Sequence, residues 1–357
     1  MEEKNFSDID PNFKQKTEAG SALKYHSVAE GPVVLEGLPF VNEGGRRSRL
    51  PLATAKIMLR PVEGPAMQTA GGVVRFRTDS PVIGVRGRLA GYYNSPTHSK
   101  RLSAGFDLYR GNAPEMRFLG PRYIENAVTE CELSWEIATT NSMADYSIYL
   151  PTFCSFFELE IGIAEDAVLE SPTPRRHGKG VAFYGSSITN CGGAGRPGML
   201  YPAIIGRMLD VETINIGFGG RCFGDLCVAD AVAKLDIAAF VLEYDHNAKS
   251  PEFLRQTHEP FFRHFRELRP ELPVLLISRA DGDFSCEEIR ERRAIITRTW
   301  LNAYESGDRH VEFLDGETIF AGEIREDCTS DTCHQNDLGE RLMAERIADR
   351  LKRMIVE

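Results

Sequence analysis

The sequence predicts an α/β protein in two parts. An antiparallel β-sandwich of jelly-roll type spans 1–170, a linker covers 171–179, and an α/β domain with five parallel strands spans 180–357. Three observations carry this: dense period-2 patterning in the first half, a proline-rich break, and strand–helix alternation in the second half. In the first half, Gly72–Arg77 and Val82–Arg86 read as strands. Ala104, Phe106 and Leu108 alternate with Gly105, Asp107 and Tyr109. Tyr146, Ile148 and Leu150 share one face, as do Phe157, Leu159, Ile161 and Ile163, with turn residues between these segments. That density of alternation fits a sandwich. The stretch from Glu170 to Lys179 holds Pro172, Pro174 and Gly178 among charges and has no apolar period. Beyond it, strands are predicted at 180–184, 212–217, 238–243, 273–278 and 310–314. Helices fall at 199–209, 225–235, 251–268, 286–304 and 337–355, the last with Leu338, Leu342, Ile347, Leu351 and Met354 on one stripe. Five such alternations give a parallel sheet covered on both faces.

The bulk numbers narrow the partners. With 42 Lys+Arg against 52 Asp+Glu the net charge is −10, which argues against nucleic acid or an anionic membrane surface as partner. Met1–Ser7 is polar and lacks a basic segment followed by an apolar run, and no stretch of about 18 apolar residues follows. A cytoplasmic protein is expected, its eight cysteines free thiols. The spacings of Cys222/Cys227 and Cys328/Cys333 are wider than zinc pairs require, so no metal is expected.

Chemistry concentrates at the predicted carboxyl ends of the parallel strands, where open α/β sheets place their sites. The first strand runs into Gly185-Ser-Ser-Ile-Thr189, a small-residue turn able to expose a hydroxyl beside its own backbone N–H. A serine nucleophile needs a base, an orienter for that base, and donors for an oxyanion. Of the eight histidines only His334 has an aspartate three residues before it, Asp331. In a turn entering a helix that spacing brings the carboxylate onto one imidazole nitrogen and leaves the other for the serine. The second strand ends in Gly219 and Gly220, where a backbone N–H can approach a ligand closely, and the third is followed by Asn247. Singly, each has a bland reading: a turn glycine, a helix cap, an incidental aspartate. Their joint placement after successive strands is harder to explain that way.

Ser187, Gly220, Asn247 and His334, in this order, resemble the four blocks of the SGNH/GDSL hydrolase superfamily from about residue 178 onward. Ser186 stands where the name-giving motif has aspartate, a form found in one branch. That branch carries an N-terminal Gly-x-Asp-Leu-Tyr domain, which Gly105–Tyr109 matches. The resemblance implies a flavodoxin-like three-layer fold, Ser187 as nucleophile, His334 as base and Asp331 as its orienter. It also implies an oxyanion hole of Ser187 N–H, Gly220 and Asn247, no cofactor or metal, and ester substrates including acetylated sugars. The expected activity is hydrolysis of small acyl, foremost acetyl, esters of a small molecule or saccharide. A longer-chain lipase or thioesterase and a sugar-binding protein with an inactive hydrolase core are the alternatives. The oligomeric state is open, a homo-oligomer included.

Other segments are weighed against this reading. Gly193–Gly198 fits a dinucleotide-binding string but begins well past the strand end and contains Pro197, so it reads as a flexible rim loop. Glu243 and His246 form a rival pair, but three positions apart on a strand they would face opposite sides unless the strand had ended. Asp245, His246, Arg279 and Asp281 reach the same sheet edge and are candidates for substrate binding, with a structural salt bridge an equal reading for Arg279 and Asp281. Cys333 reads as a packed residue. Phe106, Asp107 and Tyr109 are expected to stabilise the sandwich or its contact with the second domain.

Overall fold

The computed structural model describes residues 22–355 except 94, 125–127, 138–141, 283 and 322–324, so the leading segment Met1–Ser7 lies outside the described residues. The alternating segments of the first half pair antiparallel into two facing sheets. One has the order Leu23–Ser27, Cys154–Ala164, Val82–Tyr92, Glu130–Glu136. The other runs Leu169–Glu170, Val73–Thr78, Ala144–Tyr149, Gly105–Arg110, Arg117–Tyr123, with Val34–Glu36 added beside Val73–Thr78. Phe76, Phe106, Leu108, Trp135, Ile148 and Ile161 fill the space between them. One parity expectation fails. The Cys154–Ala164 strand carries register irregularities around Phe156, so Phe157 turns outward and is 49% exposed while Phe156 packs on the core. A bulge adds a residue and inverts the faces on its far side.

The second half forms the parallel sheet of five strands, Gly180–Gly185, Thr213–Gly217, Ile237–Glu243, Val274–Ile277 and Val311–Leu314. Their spatial order is second, first, third, fourth, fifth, the flavodoxin-like arrangement. Alternate side chains serve two cores: Ala182, Tyr184, Phe240 and Leu242 on one face, Val181, Phe183, Val241 and Leu275 on the other. The helices Tyr201–Leu209, Leu226–Val232, Pro251–Leu268, Glu287–Glu305 and Asp337–Met354 cover both faces. In the last, the buried seam is Met343, Ala344, Ile347, Ala348 and Leu351, joined by Glu340, whereas Leu338 is 43% exposed and off the expected stripe. None of the described helices is long and apolar enough to cross a membrane.

Within the first 170 residues, one segment packs with the second half. Leu50, Ala55, Met58, Val62 and Ala66, on and around the short helices Leu52–Ile57 and Glu63–Ala66, join the core on the Tyr184 face. Arg49, fully buried, donates from Nη1 to Asn190 Oδ1 at 3.1 Å and to Gly217 O at 2.8 Å. The two halves therefore share a core beneath the sheet's carboxyl edge. Register pairs Gly185 with both Gly217 and Glu243, setting three strand ends side by side at the topological switch point.

Candidate active site

The turn after the first parallel strand is set by packing. A Cβ on Gly185 would lie 2.0 Å from Thr189 Oγ1, so only glycine lets the chain turn there. Ser186 is extended and caps the four-residue helix Ser187–Asn190, its hydroxyl accepting from Ile188 N at 3.1 Å. Ser186 is fully buried, whereas Ser187, the first helical residue, faces a cavity. A first-turn N–H has no partner within its own helix, so the Ser187 amide is left to an outside acceptor.

Ser187 Oγ lies 2.8 Å from His334 Nε2, and His334 Nδ1 lies 2.8 Å from Asp331 Oδ2. The second Asp331 oxygen accepts from the backbone N–H of His334 at 2.7 Å and of Cys333 at 3.2 Å. Thr332, at φ +68, makes the reversal that folds the carboxylate back. Burial pushes the Asp331 carboxyl up, but the N–H and ring of His334 and the Cys333 N–H together hold it below its ordinary value. The nitrogen facing Asp331 is thereby the donor, and the one facing Ser187 is the acceptor when the ring is neutral.

Gly220 and Asn247 meet at the same edge, and they meet each other. Gly220 N–H donates to Asn247 Oδ1 at 3.1 Å, and Asn247 Nδ2 donates to Phe218 O at 3.2 Å. The Gly220 N–H expected to face the oxyanion is therefore engaged here, and it fixes the Asn247 amide with its NH₂ group on the far side. Gly219 is the glycine nearest the serine: a Cβ there would stand 3.3 Å from Ser187 Cβ.

The four residues proposed from sequence as substrate contacts are placed elsewhere. Asp245, His246 and Asp281 are buried, and none of them nor Arg279 lines the Ser187 cavity. Because the third strand stops at Glu243, His246 turns back and its Nδ1 sits 2.8 Å from Glu243 Oε1, the contact that strand alternation would have forbidden. His246 Nε2 is 2.6 Å from Asp281 Oδ1, and Arg279 Nη2 donates to Asp281 Oδ2 at 2.7 Å. Asp245 instead pairs with the buried Arg292 at 3.2 Å. Burial disfavours the His246 imidazolium, but Asp281 and Glu243 at its two nitrogens raise it to about 10. The other oxygen of Glu243 accepts from Thr189 Oγ1 at 2.8 Å and from Ser186 Oγ at 3.1 Å. An imidazole held between two carboxylates thus braces the turn at 186–189 from below. His246, Asp281 and Cys333 cluster closely enough to suggest a metal site. Both imidazole nitrogens of His246 already lie within hydrogen-bond distance of a carboxylate, Nδ1 of Glu243 and Nε2 of Asp281.

The cavity above Ser187 measures about 730 Å³ and is walled by both halves of the chain. Met67, Tyr92, Tyr93, His98 and Phe153 come from the first half, Asn190, Phe218, Gly219 and Arg221 from the second. Sequence reasoning missed the first group, since a lone histidine in a Ser/Thr-rich loop carries no pattern. His98 Nδ1 lies 2.6 Å from Ser95 Oγ and Nε2 lies 3.2 Å from Gly192 O; burial lowers its pKa, outweighing the Gly192 carbonyl that favours the charged ring. The wall is fixed by the strand Gly105–Arg110. Phe106 and Leu108 point into the sandwich, while Asp107 and Tyr109 point at the second half. Asp107 Oδ2 accepts from Arg196 Nη1 and Gly198 N, both at 2.8 Å, and Tyr109 OH accepts from Arg196 Nη1 at 2.7 Å. The Gly193–Gly198 stretch is therefore no flexible rim. It is pinned by this latch, by Gly193 N donating to Gln335 O and by Gly195 N donating to Asp337 Oδ1.

Fold and site together define a three-layer α/β hydrolase with an appended β-sandwich. Residues 178–355 match the GDSL-like Lipase/Acylhydrolase family, and residues 23–169 match the N-terminus of Esterase_SGNH_hydro-type. The chain belongs to the SGNH/GDSL-type esterase superfamily, in the branch with the Gly-x-Asp-Leu-Tyr domain. Among solved structures it is similar to a protein from Bacteroides ovatus described as a GDSL-like lipase. That pair shares 26% identity and a TM-score of 0.81 over 93% of this chain and 98% of that one. A salicylyl-acyltransferase from a tetracycline biosynthetic pathway has 18% identity and a TM-score of 0.75, covering 93% and 97%. An acetyl xylan esterase from Butyrivibrio proteoclasticus has 11% identity and a TM-score of 0.63, covering 93% and 98%. No curated protein matches the chain.

Proposed function

We propose that this ester hydrolase removes small acyl groups, acetyl foremost, from a saccharide or small-molecule ester through Ser187, His334 and Asp331. The observation that carries the reading is the continuous chain Ser187 Oγ to His334 Nε2 and His334 Nδ1 to Asp331, 2.8 Å at each contact, opening on a cavity. Ser187 Oγ attacks the ester carbonyl as His334 takes its proton, and Asp331 stabilises the imidazolium that forms. The oxyanion is received by the Ser187 amide and the Asn247 amide, with Gly220 orienting Asn247 and joining the hole as the carbonyl oxygen enters. His334 protonates the departing alcohol, and water then releases the acyl group by the same route. The acetyl choice draws on the acetyl xylan esterase that shares the fold.

The test is hydrolysis of 4-nitrophenyl acetate together with fluorophosphonate labelling read by mass spectrometry. Wild-type protein is expected to turn over the ester and to take the label on Ser187, and Ser187→Ala to lose both. Wild-type turnover retained by Ser187→Ala overturns the assignment.

A further inference from the structure

The cavity above Ser187 has a charge opposite to that of the chain around it. The protein carries a net charge of −10, yet among the described residues no aspartate or glutamate lines this cavity, whereas Arg46 and Arg221 do. Several arginines elsewhere are matched by carboxylates, Arg75 and Arg175 by Glu36, Arg266 by Asp308 and Arg292 by Asp245, whereas the buried Arg49 is held by Asn190 and backbone carbonyls. Among the described residues neither cavity arginine has such a match. Arg221 Nη1 donates to a backbone carbonyl, Pro61 O, at 2.6 Å. The Arg46 guanidinium lies 4.8 Å from the Phe157 ring centroid, with its Nε buried and unpartnered, and Arg46 also borders a second pocket lined by Phe157, Glu158 and Glu160. Arg60, likewise held only by a backbone carbonyl, Gly220 O at 3.1 Å, adds positive charge beside the oxyanion residues. A concave, low-dielectric wall focuses such a field into the cavity. Guanidinium forks match carboxylate and phosphate oxygens in pairs, and two of them left without a protein anion are free to take one from a ligand.

We infer that the cavity selects an acyl ester whose alcohol part carries a carboxylate or phosphate, held by Arg46 and Arg221 while the carbonyl sits at Ser187. The inference rests on the esterase reading above. The anion belongs to the alcohol because an acetyl group carries no anion and fills little of a cavity of about 730 Å³. It takes no part in bond making. The ester C–O bond breaks, water supplies hydroxyl to the acyl carbon and a proton to the alcohol, and the anion leaves unchanged on the alcohol.

The experiment compares kcat/KM for 4-acetoxybenzoate, 4-acetoxyphenyl phosphate and the neutral methyl 4-acetoxybenzoate, each divided by its rate of alkaline hydrolysis. At least one anion is expected to exceed the neutral ester roughly tenfold at low salt, with the carboxylate and phosphate arms deciding which group is preferred. That ratio is expected to fall severalfold in 0.5 M salt and towards unity in the Arg46→Gln/Arg221→Gln double variant. Fluorophosphonate labelling of Ser187 shows whether the variant's site is intact. A wild-type ratio of one or below for both anions overturns the inference, as does a preference that survives unchanged in a double variant that still labels. If wild-type protein hydrolyses none of the three and does not label, the esterase reading itself falls, and this inference with it.

Discussion

Replacing Glu243 by glutamine tests whether a buried cation braces the nucleophile turn. Glu243, 2% exposed, has one oxygen at His246 Nδ1 and the other on Thr189 Oγ1 and Ser186 Oγ. A glutamine of the same shape can keep its carbonyl on Thr189 and Ser186 only by turning its NH₂ towards His246 Nδ1. Two donors then face each other, which weakens the hold of His246 on its second proton. The magnitude follows from linkage. His246 rises from an ordinary value of 6.5 to about 10 on folding, which corresponds to roughly 5 kcal/mol of stabilisation. Because the folded value is the higher one, this contribution is complete below pH 6.5 and fades as pH climbs towards 10. Glu243 and Asp281 share it, so removing one charge should cost about 2–3 kcal/mol at pH 6 and under about 1 kcal/mol at pH 9.5. Thermal unfolding followed by circular dichroism at the two pH values reads this as a gap between wild type and variant that closes on alkalinisation. Turnover should fall about 100-fold, since a small displacement of Ser187 is enough to misalign attack. A penalty equal at both pH values would refute the imidazolium and leave only a hydrogen-bond account.

Two further substitutions probe the domain latch and the oxyanion hole. In Gly198→Ala the new Cβ would stand 2.8 Å from both Asp107 Oδ2 and Tyr109 OH, so the latch must open. A loss of about 1–3 kcal/mol in urea unfolding is expected, with a raised KM as the cavity wall shifts. Stability and KM both equal to wild type would mean that the latch is not needed. Asn247→Ala should lower turnover of an acetate ester on the order of 10²–10³-fold with little change in the unfolding midpoint. Turnover within twofold of wild type would remove Asn247 from the hole.

What could be read in the sequence was local. Asp331 and His334 are close in the chain, so a turn suffices to join them, and the spacing carries that information. The network that joins Glu243 to His246, and His246 to Asp281, was illegible for the same reason. Ser186, His246 and Asp281 arrive from three different strand ends, and although the predicted strand also stops at Glu243, which side chains meet beyond it depends on loop conformations that carry no periodicity. Phe157 failed by a single inserted position: period 2 holds only while the ladder is unbroken, and a bulge leaves no mark in hydrophobicity. The substrate wall was hidden more completely. Met67, Tyr93 and His98 become site residues only through the docking of one layered unit on another, which no periodicity records.

The strand Gly105–Arg110 shows how the two halves divide the work. Its even positions, Phe106 and Leu108, are sandwich core, and its odd positions, Asp107 and Tyr109, grip Arg196 and Gly198 just beyond the nucleophile helix. One alternation thereby couples the stability of the first half to its placement over Ser187. Arg49 makes the same link from below, bonding Asn190 beside the nucleophile and Gly217 at the end of the second parallel strand. The residues proposed for the triad and for the oxyanion hole all come from the second half, while Arg46, Tyr92, Tyr93 and His98 come from the first. Changes in the sandwich loops can therefore alter which alcohol is accepted without touching the atoms that break the ester bond. Arg46 sits on such a loop and Arg221 on the catalytic half, so the selectivity argued for this cavity depends on the latch holding the two in register.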